Sequence, residues 1–140
     1  MAEPALLLDT HCWVWMQFGL TEKFTRAAQA TIQRAARSGT LTVSVISVWE
    51  VGMLESKGRL ELNMDCAEWV RQALATPGLA LVPLTPEIAV ESSRLPGLFH
   101  GDPADRILVA TARVAGVVLM TKDDRLLEYA RHGHVRAIAA

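Results

Sequence analysis

The acidic residues of this 140-residue chain are scattered in sequence, yet four of them occupy positions that a fold would bring to one place. Asp9 closes the apolar run at 5–8, and Asp123 follows Val-Val-Leu-Met-Thr-Lys at 117–122. Runs of this kind read as strands buried on both faces of a parallel sheet, and the residues just beyond them gather at the end where open α/β sheets bind ligands. Asp105 lies in the first turn of a helical segment dominated by Ile107, Leu108, Val109, Ala110, Ala112, Val114 and Ala115, which must pack deeply against that sheet. Glu50 is the least expected of the four, because helical spacing puts it on the side of Ile46, Met53 and Leu54.

Carboxylates turned inward are costly without a cation, and several converging together raise one another's pKa. A hard divalent ion removes the conflict. Mg²⁺ or Mn²⁺ takes carboxylate and water oxygens, usually with only one or two direct carboxylates and a substrate phosphate. Such a site activates water and polarises a phosphate. The implied chemistry is hydrolysis of a phosphodiester, with Asp9, Glu50, Asp105 and Asp123 as catalytic and metal-binding residues. Each acid alone has a structural reading: the helix dipole accounts for Asp105, capping for Asp102, and a turn for Asp123 with Asp124. The weight therefore falls on their joint placement.

The elements that must deliver these residues are legible in outline. Strands are expected at 5–8, 40–43, 80–84, 117–120 and 135–138, the third at an edge or cut short because Pro83 interrupts it. Helices are expected at 21–37 closed by Gly39, from a Ser44 cap to about 57 with Gly58 as the stop, at 66–75 behind Asp65, at 86–94, from the Asp102 cap and Pro103 to Ala115 before Gly116, and at 124–131. Strands alternating with helices give an α/β fold with a mainly parallel sheet, in one domain over 1–140.

Composition narrows the setting. Hydrophobic residues reach 51%, but in short runs that suit a buried sheet and exclude a membrane span. With no signal-peptide pattern, a cytoplasmic location is expected. Cys12 and Cys66 match no zinc or redox spacing and read as buried thiols. A net charge of −1 offers no global attraction to nucleic acid, so a polyanion must be held by local basic groups or bound cations.

Four segments carry a further resemblance: Leu-Leu-Leu-Asp-Thr-His at 6–11 with Trp15, Ser-Val-Ile-Ser-Val-Trp-Glu at 44–50, the run from Leu95 through Gly-Asp-Pro-Ala-Asp-Arg to Ala112, and Leu-Met-Thr-Lys-Asp at 119–123. Together they resemble a PIN-domain ribonuclease of the VapC toxin family. The resemblance implies a three-layer α/β/α sandwich and a Mg²⁺- or Mn²⁺-dependent endoribonuclease serving as the toxin of a toxin-antitoxin pair. It makes Asp9, Glu50 and Asp105 the metal-site acids and Asp123 the fourth, with Thr10, Thr121 and Asp102 in support. It also implies an RNA substrate, a homodimer or higher toxin-antitoxin assembly, and a cognate antitoxin that enters the groove. Arg106 and Lys122 are the preferred RNA contacts, ahead of Arg113 and Arg125. No histidine is assigned a catalytic role: His132 and His134 read as solvated, His11 as either near the site or at a helix start, and His100 as packing or hydrogen-bonding in its loop. Trp13, Trp15, Trp49 and Trp69 are expected to pack in a core or an oligomer interface rather than to stack on bases. A phosphatase with an aspartyl nucleophile would want a second Asp where His11 stands, and a receiver domain an acceptor Asp that 40–45 lacks. The rival of another class is a non-catalytic dimer of the same fold that binds RNA or a partner.

Overall fold

The computed structural model describes residues 4–99 and 101–140. Its centre is a five-stranded, wholly parallel sheet of β1 (Leu6–Leu8), β2 (Leu41–Ser44), β3 (Leu79–Val82), β4 (Val118–Thr121) and β5 (Ala137–Ala139), in the order β3-β2-β1-β4-β5. The helices are α1 (Thr10–Gln17), α2 (Arg26–Ser38), α3 (Val45–Ser56), α4 (Cys66–Leu74), α5 (Pro86–Ser92), α6 (Pro103–Ala115) and α7 (Asp124–Arg131). The α/β class and the three-layer, mainly parallel sandwich are as expected from the sequence.

Strand pleating divides the core in two, because successive side chains point to opposite faces. Leu6 and Leu8 join Trp13, Phe24, Ile32, Val43 and Trp69 on one side, whereas Leu7 joins Leu108, Val109, Leu119, Leu126 and Tyr129 on the other. Helices α1, α2 and α4 cover the first face, and α5, α6 and α7 the second. The central strand β1 is buried throughout, which is why its three residues are all leucine. The chain runs outward from β1 to β2 and β3, then returns to place β4 on β1's other side. The order of strands therefore reverses between β1 and β4, and a crevice opens there at their carboxyl ends.

Several boundaries differ from expectation. The helix expected over 21–37 begins late: Thr21–Lys23 forms a single 3₁₀ turn, Thr25 is extended, and its Oγ1 caps α2 by accepting from Ala28 N at 3.1 Å. Helix α1 begins beside His11, one of the two positions expected for that residue, but its apolar residues Cys12, Trp13, Val14 and Trp15 run consecutively and mark out no helical period. β3 stops before Pro83 and lies at one edge; β5, which begins two residues later than expected and ends one later, forms the other. Cys12 is buried as expected, but Cys66 is only half-buried. Trp13 and Trp69 pack edge to face within the core, whereas Trp49 is 56% exposed and packs in no core. The proposed packing of His100 lies outside the described residues.

Candidate active site

Asp9, Asp105 and Asp123 are delivered by helix starts or strand ends, and Glu50 by the middle of a helix. Asp9 directly follows β1 and caps α1: its Oδ1 accepts from Cys12 N at 2.8 Å, and its Oδ2 accepts from Thr121 Oγ1 at 2.5 Å. At 8% exposure it is the most deeply set carboxylate of the group. Thr121, the last residue of β4, uses the same hydroxyl oxygen to accept from Asp123 N at 3.0 Å, so one side chain ties both sides of the crevice. Asp123 caps α7 through Arg125 N at 2.8 Å.

Glu50 reaches inward from α3. Thr10 Oγ1 donates to its Oε1 at 2.5 Å and lies 2.8 Å from Ser47 Oγ, a buried neighbour one helical turn before Glu50. Asp105 occupies the first turn of α6, where its backbone N–H donates to the capping Asp102 Oδ1 at 2.8 Å. The position that the helix dipole favours is thus also the one that aims a carboxylate at the crevice.

One pocket of about 270 Å³ is lined by all five of these acids, Asp9, Glu50, Asp102, Asp105 and Asp123, together with Thr10, His11, Trp15, Leu108, Lys122 and Arg125. A larger cavity of about 650 Å³ lies beside it, shares Arg125 and contains none of the clustered acids. Burial, reinforced by Asp102, Asp123 and Glu50, pushes the Asp105 carboxyl from 3.8 up to about 7. Asp123 moves the opposite way, held below the usual carboxylate range chiefly by its hydrogen bond from Arg125. The two acids differ because Arg125 Nη2 is 2.9 Å from Asp123 Oδ2 but 3.3 Å from Asp105 Oδ2, and because Asp105 is the more buried.

The donor set suits a hard divalent cation: carboxylates and hydroxyls line the pocket, and the thiol of Cys12, which burial makes still harder to ionise, is not among them. As the side chains stand, no three His, Cys, Asp or Glu residues among those described are drawn tightly enough around one point to share an ion. Arg125 holds Asp105 and Asp123 instead.

Similarity to known proteins follows the same residues. The profile described as PIN domain matches residues 6–132, a span that contains every acid of the pocket. The chain belongs to the PIN-domain family. This PIN domain is also 34% identical over 133 residues to Ribonuclease VapC22 of Mycobacterium tuberculosis (strain ATCC 25618 / H37Rv), covering 95% of either sequence, so the resemblance to VapC proteins holds. Its fold matches that of VapBC2 from Rickettsia felis bound to a DNA fragment from their promoter, with a TM-score of 0.69 and 13% identity over 96% of this chain and 98% of that one. It also matches a toxin-antitoxin complex from Klebsiella pneumoniae, with a TM-score of 0.56 and 18% identity over 85% and 87% of the two chains. At such identities the structural likeness speaks to the fold alone.

Among the basic residues of this PIN domain, Lys122 lines the acid pocket, with its Nζ 5.8 Å from the Trp15 ring centroid; Lys23 Nζ lies 5.6 Å from the same ring. Arg106 is not brought there. Its guanidinium donates to Ser92 O at 2.8 Å and Phe99 O at 2.9 Å, clasping the end of α5 and the following loop. Arg113 turns away to Glu91 and the His134 carbonyl. Arg125, ranked behind both Arg106 and Lys122 by sequence, is the arginine at the site. The cue was available: it stands two residues after Asp123, at the first turn of a helix whose cap is that acid. Trp15 lines the pocket while packing edge to face on Phe24, so packing and site exposure coexist in one ring. His132 is exposed as expected and pairs with Glu128, whereas His134 is half-buried against Tyr129.

Proposed function

We propose that this PIN domain is a Mg²⁺- or Mn²⁺-dependent endoribonuclease, the toxin of a toxin-antitoxin pair, that hydrolyses RNA phosphodiester bonds with metal-activated water. The observation that carries the reading is the convergence of Asp9, Glu50, Asp105 and Asp123, distant in sequence, on one pocket at the point where strand order reverses. Kinship with a protein named a ribonuclease supports the same reaction. Asp9, Glu50 and Asp105 would hold the ion with Asp123 as the fourth acid, and the ion would supply electrophilic stabilisation of the phosphate and a more acidic water.

The chain's own groups prepare that chemistry. Two hydrogen bonds orient Asp9 and one from Thr10 orients Glu50, so these two carboxylates are held towards the pocket before an ion arrives. Thr10 and Thr121 act as orienting groups and Asp102 as the cap that holds Asp105 in place. Lys122, beside Trp15 at the rim, supplies local positive charge for the RNA backbone, which the net charge of the chain does not. Silencing by an antitoxin segment entering the groove, assembly as a homodimer and a cytoplasmic location complete the proposal. Among the described residues no helix is long and apolar enough to cross a membrane.

The test is direct. Purified protein with Mn²⁺ should cut RNA, EDTA should stop it, and Asp9→Asn and Asp105→Asn variants that keep their circular dichroism should not cut. Intact RNA under Mn²⁺, with Asp9→Asn binding RNA as the parent does, would favour a non-catalytic binding dimer.

A further inference from the structure

Arg125 is the cation that the acid cluster already holds. Its Nη2 lies 2.9 Å from Asp123 Oδ2 and 3.3 Å from Asp105 Oδ2, and its Nε is 3.3 Å from Asp123 Oδ1. The two carboxylates are well covered, with side-chain exposures of 16% for Asp105 and 27% for Asp123, whereas Arg125 is 59% exposed. Its backbone is fixed in the first turn of α7 by the Asp123 cap. Rotation of the side chain alone therefore frees the guanidinium. It also has somewhere to go, because the residue lines both the acid pocket and the neighbouring cavity of about 650 Å³, whose walls include Leu98, Phe99, Tyr129 and Arg131.

We propose that Arg125 is an exchangeable counter-ion, which neutralises the Asp105–Asp123 edge of the site until a divalent cation displaces it and then receives the RNA backbone at the rim between the two cavities. This rests on the metal-dependent reading above. A guanidinium and a hard cation cannot share the same inward carboxylate oxygens, since both need those lone pairs and their charges repel at a few ångströms. The displaced group is not left without a partner. The planar fork that matches a carboxylate matches a phosphate equally well, and the substrate brings one. Cation entry thus breaks two ion pairs, RNA binding offsets that loss, and the two ligands favour each other's binding.

Calorimetric titration of the metal-stripped protein with Mn²⁺ tests this against two variants. Arg125→Gln should bind Mn²⁺ about tenfold more tightly than the parent, the scale set by two partly exposed ion pairs. Arg131→Gln, which removes the same charge from a side chain paired with Glu128, should stay within about twofold of the parent. Both positions are exposed, and thermal melts verify that the variants fold. Equal affinity in Arg125→Gln and the parent overturns the exchange, and so does equal tightening in both variants, which would mark a general charge effect. Absence of Mn²⁺ binding in every form would instead overturn the metal-dependent reading and the exchange with it.

Discussion

Asp105 shows most directly how the fold alters a single side chain. Its carboxyl titrates near 7, well above its ordinary 3.8, because burial and three neighbouring acids oppose the charged form. A group whose pKa rises on folding favours the native state below its unfolded value and loses that contribution as pH climbs through the folded value. The cation-free protein is therefore expected to melt at a lower temperature at pH 8 than at pH 5 on account of this group, as read in EDTA by circular dichroism. Mn²⁺ should oppose that trend, since it binds the deprotonated carboxylate and its affinity should rise with pH through 7. A second residue-scale expectation concerns Thr121, whose hydroxyl is the donor to buried Asp9 Oδ2. Thr121→Val keeps the shape and removes the donor, and should cost about 10–100-fold in Mn²⁺ affinity or RNA cleavage, the range for groups that orient metal ligands. An unchanged titration and rate would show that the hydroxyl serves β4 alone.

At the scale of elements, the site is made where strands end and helices begin, save for Glu50 midway along α3. Asp9, Asp102 and Asp123 each cap a helix and line the pocket, so local folding signals and chemical groups coincide. That coincidence explains why a sequence reading finds the acids readily yet assigns any one of them to capping with equal ease. The extent of α1 is hard to read because its apolar residues run consecutively without a helical period, and α2 starts later than its pattern suggests because Phe24 packs in the core from outside the helix. One connection tests how tightly the elements are joined. Gly78, at φ +82°, precedes β3, and a Cβ there would meet Ala36 O at 2.1 Å. Gly78→Ala should destabilise the fold by well over about 1 kcal/mol, since it combines positive-φ strain with a backbone clash. A denaturant midpoint matching the parent's would show that the two segments separate at little cost.

For the molecule as a whole, the proposed homodimer carries a simple expectation. Sedimentation at micromolar concentration should give twice the 15.3 kDa chain mass, and a clean 15.3 kDa species would remove the dimer from the proposal. Co-expression with a cognate antitoxin should likewise suppress any RNA cleavage.

What the sequence determined by itself was the class of fold and the family. Apolar runs of strand length, alternating with capped helices, leave a parallel sheet as the one way to bury Leu6–Leu8 on both faces, and acids beyond two such strands must emerge at the same end. Tertiary structure decided which residues share the site. Arg106 and Arg125 are alike in sequence, each within two residues of a pocket acid, but the backbone carbonyls of Ser92 and Phe99 claim the first, and the second faces Asp105 and Asp123. Hydrogen-bond partners brought in from distant segments make that choice, and spacing along the chain carries no record of them.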